Sequence, residues 1–241
     1  NRCTKAMSAY TWMRSRIGAV VFASRMLMRG ERPRNIVEWF RSLRPNYLLE
    51  RPSPWITFGA IDFLEEYIRP GMNVFEYGSG GSTFYWLRYK TSLISVEHDP
   101  MWYEIVHKKL APDNSVEYRL SPPMRRSESD KNSDPSDPAA YASEAVEFTG
   151  YTFEEYVRQI DTVTDGSLDI VLVDGRSRPS CIVHAAPKVR RGGILILDNA
   201  ERPYYVSRIG SHLENFRPHQ FSGMTPCNRW ISQTNIYLRE S

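Results

Sequence analysis

Four carboxylates stand where this chain could do chemistry: Glu76, Glu97, Asp174 and Asp198, each closing a short apolar run. Apolar runs of this length read as buried strands. Acids that close such strands collect at one rim, where they can accept hydrogen bonds, hold a cation or take a proton. Glu76 leads into Gly78, Gly80 and Gly81 and then into Phe84-Tyr85-Trp86-Leu87, a tight turn and a helix start. Glycines let the backbone approach a ligand, and the helix start offers unpaired N–H groups, so the turn reads as a nucleotide cradle. About twenty residues on, Ser92-Leu93-Ile94-Ser95-Val96 ends in Glu97-His98-Asp99, and a carboxylate at that distance is placed to accept hydrogen bonds from a ribose diol. A dinucleotide fingerprint would want a third glycine where Thr83 stands, which weakens a nicotinamide reading.

The other two acids open polar clusters, Asp174-Gly175-Arg176-Ser177-Arg178 after Leu168 to Val173 and Asp198-Asn199-Ala200-Glu201-Arg202 after Gly193 to Leu197. In a parallel sheet the carboxyl ends of the strands form the ligand crevice, so both clusters face the same side as the glycine turn. Asp174, Asp198 and the Asn199 amide are three oxygen donors suited to a hard divalent cation such as Mg2+. Asp174, Asp198 and His98 are the candidate catalytic bases. Arg176, Arg178 and Arg202 suit an acceptor carrying carboxylate or phosphate, which guanidinium forks bind bidentately.

On E-x-G-x-G-G-S-T at 76–83, S-V-E-H-D at 95–99, V-D-G at 173–175 and G-G-I-L-I-L-D-N at 192–199, the sequence resembles the class I S-adenosylmethionine-dependent methyltransferases over roughly Pro54 to Arg239. The resemblance implies an α/β, Rossmann-like, doubly wound seven-stranded sheet, mostly parallel with an antiparallel C-terminal strand. It implies S-adenosylmethionine as cofactor, with Glu76 near the methionine amino group, Gly78, Gly80 and Ser82 lining the cofactor, Glu97 on the ribose and His98 by the adenine. The Asp174, Asp198 and Asn199 trio is similar to the metal site of small catechol-type and acyl-CoA-type O-methyltransferases, where the metal binds the acceptor oxygen and lowers its pKa. Those enzymes place a lysine three residues after the first aspartate, and here that residue is Ser177.

The activity so implied is methyl transfer to a hydroxyl oxygen of a small, anionic or membrane-proximal acceptor. An N-methyltransferase of the same fold, or a non-catalytic protein using the fold to bind a membrane or partner, are the alternatives. Nucleic-acid base methylation is disfavoured. Its Asn/Asp-Pro-Pro-aromatic signature is replaced by Val-Asp-Gly, and Ser121-Pro122-Pro123-Met124 lies elsewhere and lacks the acid and the aromatic ring.

The elements that must position these residues follow from length and pattern. A chain of 241 residues that is 41% hydrophobic and 24% charged suits one α/β domain with an appendage. Residues 1–52 read as a basic helical extension and 53–241 as the methyltransferase-like domain, with 121–145 a mobile insertion rich in Pro, Ser and Asp. The net charge of +3 conceals about ten Lys and Arg against about three acids in residues 1–50. A helix from about Met7 to Met28 would be basic and amphipathic, able to lie on a membrane or against another subunit, but its apolar run Ile17 to Ala23 is far short of the roughly 20 residues that span a bilayer. Cys3, Cys181 and Cys227 show no C-x-x-C spacing, so a reducing, cytoplasmic setting without a zinc site or disulfide framework is expected. The chain opens on Asn1 rather than Met, from which an upstream segment is expected. Further helices are expected over 35–43, 54–67, 101–110, 153–160 and 182–189, and strands over 115–120 and 233–239, with 221–227 as a loop walling the acceptor pocket.

Overall fold

The computed structural model describes residues 9–44, 47–110, 115–127 and 133–240; Cys3, Met7 and Asn1 lie outside them. Five parallel strands form most of one sheet: β1 (Asn73–Tyr77), β2 (Ser92–Glu97), β3 (Val116–Leu120), β4 (Leu168–Val173) and β5 (Val189–Leu197). Two later strands complete it, β6 (Phe216–Gly223) and β7 (Ser232–Arg239), giving the order β3-β2-β1-β4-β5-β7-β6 with β7 antiparallel to both neighbours. The strands of the centre are mostly apolar because helices cover both faces. Phe75, Tyr77, Val171 and Val173 pack into one core, and Val74, Ile170, Leu172 and Ile194 into the other.

Register decides what happens at the rim. Tyr77 sits across from Val96 on one side and from Val173 on the other, and Val173 lies across from Leu197. The four carboxyl ends are therefore level, and the segments that follow them open onto the same edge. Strand order reverses between β1 and β4, the place where such sheets leave a crevice.

The helices are α1 (Ala9–Met28), α2 (Pro33–Ser42), α3 (Tyr47–Glu50), α4 (Phe58–Tyr67), α5 (Gly81–Arg88), α6 (Pro100–His107), α7 (Glu154–Arg158) and α8 (Arg178–Ala185). Pro70 and Gly71, the latter at φ +82°, end α4's segment and turn it into β1. On α1, Ala19, Ala23 and Met26 are buried in the cluster that holds Trp39, while Ile17, Val20, Val21, Leu27 and Met28 are exposed. No helix among the described residues is long and apolar enough to cross a membrane.

Three elements depart from expectation. Helix α8 begins at Arg178, four residues before the expected Ile182, because Ser177 takes a left-handed conformation (φ 50°) and Pro179 sits in the first turn, where proline's fixed φ suits a helix. Strand β5 accordingly starts at Val189 rather than Gly193. The segment from Phe221 to Gly223 is the end of β6, not loop; Pro218 within that strand obscures its pattern and is tolerated because β6 is an edge.

The described parts of the 121–145 stretch are held onto the domain. Met124 and Arg125 pair with Tyr151 and Thr152, Arg126 donates to the carbonyls of Tyr151 and Ala140, and Ala142 is buried. The N-terminal helices are tied to the far end of the chain. Trp39 Nε1 donates to the carbonyl of Asn228, and the Cys227 amide donates to Ser42 Oγ at 2.8 Å.

Candidate active site

A cavity of about 540 Å³ opens at the level carboxyl ends, between the segments that follow β1, β2, β4 and β5. Gly78, Ser79 and Gly80 form its floor beside Glu97, His98 and Asp99, and Asp174, Arg176, Asp198 and Arg202 line the opposite side. The floor depends on two close approaches. Gly78 adopts φ +90°, and a Cβ there would lie 2.9 Å from the Asp174 carbonyl oxygen. At Gly175 a Cβ would lie 2.0 Å from the Tyr156 hydroxyl. Only glycine lets the β1 and β4 turns touch.

Glu97 is buried at the end of β2 and is the floor's organiser. Its Oε2 accepts from the Ser79 amide (3.0 Å) and hydroxyl (2.8 Å), and its Oε1 from the amides of His98 (2.8 Å) and Asp99 (2.9 Å). Burial opposes ionisation, but hydrogen bonds from His98 and from the Asp99 and Ser79 amides outweigh it and hold the carboxyl below its ordinary pKa. Asp99 caps α6, accepting from the amides of Met101 and Trp102. The cap aims Trp102 back across the turn, where its Nε1 donates to the Ser79 carbonyl at 2.9 Å. Ser79 and Trp102 belong to the site although only their positions, after the first glycine and in the first turn past Glu97, could have marked them.

Glu76, which the resemblance sets near a methionine amino group, is fully buried behind the glycine turn and is not among the residues that line the cavity. Its oxygens accept from Thr83 Oγ1, Ser95 Oγ (2.7 Å) and Trp86 Nε1 (3.0 Å). Thr83 Oγ1 accepts in turn from the Gly80 amide at 3.0 Å, so the network clasps the start of α5 to the end of β1. Desolvation pushes the Glu76 carboxyl up to about 7 despite these hydrogen bonds. Ser82, at the start of α5, is itself mostly buried and lines the cavity.

Asp174, Asp198 and Arg178 meet at the mouth. Arg178, whose side chain is only 9% exposed, donates from Nη2 to Asp174 Oδ1 at 3.0 Å, from Nε to the Gly175 carbonyl at 3.1 Å and from Nη1 to the Asp198 carbonyl, and Nη1 lies 3.9 Å from Asp198 Oδ2. Asp198 Oδ1 accepts from Thr234 Oγ1 at 2.8 Å, and that oxygen accepts from the Thr57 amide at 3.0 Å. Desolvation raises both carboxyls above their ordinary values, Asp198 further because Asp174 faces it. The expected free arginine at the rim is thus an inward ion pair, a consequence of the early start of α8.

The donor set does not fit a divalent cation. The guanidinium lies between the two carboxylates, and Asn199, at φ 53°, commits its amide nitrogen to Ser232 Oγ at 3.1 Å.

The remaining predicted residues are split between two sides of the mouth. His98 lies on the floor side, with Nδ1 2.9 Å from Glu97 Oε1 and Nε2 accepting from Arg176 Nε at 3.4 Å. Both ring nitrogens therefore have neighbours, and His98 is not joined to the aspartate pair. Arg176 keeps partial exposure over the Phe148 ring, 4.0 Å from Glu147. Arg202 pairs with Glu144 at 2.7 Å and donates to the Tyr205 hydroxyl. The outer wall comes from Trp55 and from Thr225, Asn228 and Trp230, the segment that α2 holds through Trp39 and Ser42. Trp55 is 46% and Trp230 58% exposed beside the opening.

No family model matches the sequence, and no curated protein does. Solved structures do resemble the fold. They include a candidate O-methyltransferase from Klebsiella pneumoniae (14% identity, 84% of this chain and 90% of that one, TM-score 0.53). Cofactor-bound Rv0187 from MTB matches at 15% identity over 88% of this chain and 92% of that one, with a TM-score of 0.51. The O-methyltransferase TomG from Streptomyces achromogenes, involved in tomaymycin synthesis and solved with S-adenosylmethionine, matches at 14% over 92% and 90%, also at 0.51. At these identities the likeness is one of fold.

Proposed function

Starting from a chain with the class I S-adenosylmethionine-dependent methyltransferase fold, we propose that it transfers a methyl group from S-adenosylmethionine to a hydroxyl oxygen of a small anionic acceptor. One observation carries the reading: the Glu97-rimmed glycine floor and the Asp174/Asp198 pair line a single cavity. The floor fits the cofactor, because its glycine turns leave no room for a Cβ and its carboxylate is held ionised. Gly78, Ser79 and Gly80 would lie against it and Glu97 would take its ribose. The bound cofactor supplies an electrophilic methyl on positive sulfur.

The chain's own residues align the acceptor and remove one proton. Asp174 and Asp198, which line the cavity, are the side chains offered to the acceptor's hydroxyl proton. Arg176 and Arg202 place positive charge beside the mouth for an anionic group. Trp55 and Trp230 present flat apolar surface there and limit water. Because the donor set does not fit a divalent ion, no step is assigned to one. A membrane-proximal acceptor is supported by the outward apolar residues of α1, which share that helix with Arg25 and are followed at its end by Arg29.

Thermal unfolding with S-adenosylhomocysteine tests the reading, with NAD as the comparison. At about a hundred times its dissociation constant a ligand stabilises by roughly 2.7 kcal/mol, which raises the midpoint of a domain this size by roughly 5–10 °C. Glu97→Ala should abolish that shift. A shift with NAD and none with S-adenosylhomocysteine would overturn the assignment.

A further inference from the structure

The expectation of a metal and the presence of Arg178 meet at one point in space. A divalent ion bridging two carboxylates needs oxygens at roughly 2.0–2.6 Å and open lone pairs directed at a common centre. Here that centre is filled by a planar cation. Three of Arg178's donors are spent on Asp174 Oδ1, the Gly175 carbonyl and the Asp198 carbonyl, so the guanidinium is fixed in orientation as well as in place. The Tyr205 ring lies 5.4 Å from its central carbon and closes the other side. Asp198 Oδ1, which would have to turn toward a metal, is held by Thr234. A guanidinium cannot lose its charge to make room, so a divalent ion entering would face an unscreened like charge in a desolvated setting.

We propose that Arg178 is the resident cation of this crevice, taking the place between Asp174 and Asp198 that a divalent metal would fill, and that it positions both carboxylates without any metal. Arg178 is then a positioning residue: it acts on the acceptor through the carboxylates, which it keeps from repelling each other and aims at the cavity mouth. Fixing the two strand-end acids with a side chain from the first turn of α8 also makes the geometry independent of the ionic composition around the protein. The part of this inference that concerns methyl transfer rests on the function proposed above; the occupancy of the site does not.

The test is a Mn2+ titration followed by electron paramagnetic resonance, performed on the full chain, on Arg178→Ala, on Asp198→Asn and on the Arg178→Ala/Asp198→Asn double variant. The expected result is that the wild-type chain shows no Mn2+ binding that Asp198→Asn removes. Arg178→Ala should gain one site, at least tenfold tighter than anything in the wild type, and the double variant should lose it. One Mn2+ per wild-type chain, lost in Asp198→Asn, would overturn the proposal. So would an Arg178→Ala protein that is folded by circular dichroism yet gains no affinity. If Arg178→Ala does not fold, the comparison of wild type with Asp198→Asn decides alone. Because the readout is metal binding, failure of the S-adenosylhomocysteine shift would strike the function and leave this result standing.

Discussion

Glu76→Gln keeps the shape of a fully buried side chain and removes only its capacity to ionise. In the folded chain burial lifts the Glu76 carboxyl from its ordinary 4.5 to about 7. The folded pKa is the higher one, so the stability that neutral Glu76 allows is fully present below about pH 4.5. It drains away as pH rises toward 7, where the unfolded chain is ionised and the folded one resists; beyond that the deficit is constant. At 1.36 kcal/mol per unit the full effect is about 3 kcal/mol, of which about 2–3 kcal/mol accrues between pH 5 and pH 8.

Glutamine does not ionise, and Thr83 and Ser95 can rotate their hydroxyls to accept from its amide. Urea unfolding of both proteins at pH 5, 6, 7 and 8 should therefore show wild type falling relative to the variant by that amount, other titrating groups cancelling in the difference. S-adenosylhomocysteine affinity, read by calorimetry at pH 6, should change by less than about threefold, because the side chain touches Thr83, Ser95 and Trp86 rather than the cavity. Parallel stability curves would refute the buried neutral carboxyl. A loss of more than tenfold in ligand affinity from a folded variant would put Glu76 back at the cofactor.

Two further substitutions probe how the site is assembled. Gly78→Ala forces a Cβ into the left-handed region 2.9 Å from the Asp174 carbonyl, and should lower the urea midpoint by the equivalent of about 1–3 kcal/mol while weakening S-adenosylhomocysteine binding. Trp39→Phe removes the donor to the Asn228 carbonyl. It should cost about 1–3 kcal/mol and speed amide hydrogen exchange in 224–230, leaving exchange around Ser79 and Glu97 unchanged.

The fold was legible because its signals are local. Short apolar runs closed by acids, glycines at 78 and 80, and proline and glycine at 70 and 71 each bias a few consecutive residues, and such biases sum to a strand or a turn without knowledge of anything distant. They located the crevice and Glu97's place on its floor. Strand β6 escaped because Pro218 breaks the strand pattern, and only its position at the sheet edge makes that tolerable.

The direction in which each side chain faces was decided by tertiary structure. Glu76 closes its apolar run as the other acids close theirs, but its burial against Ser95 from the neighbouring strand and Trp86 from α5 rests on contacts that no spacing within 73–83 encodes. Arg178 reads as a rim charge until Ser177's left-handed turn starts α8 early and swings the guanidinium between two acids 24 residues apart in sequence. Asn199, Trp39 and the wall at 224–230 are settled in the same way, by partners tens to nearly two hundred residues away. Sequence sets which backbone conformations are cheap, a property of neighbours along the chain. Which polar group satisfies which in a desolvated crevice is a property of neighbours in space, and it exists only once the strands have closed.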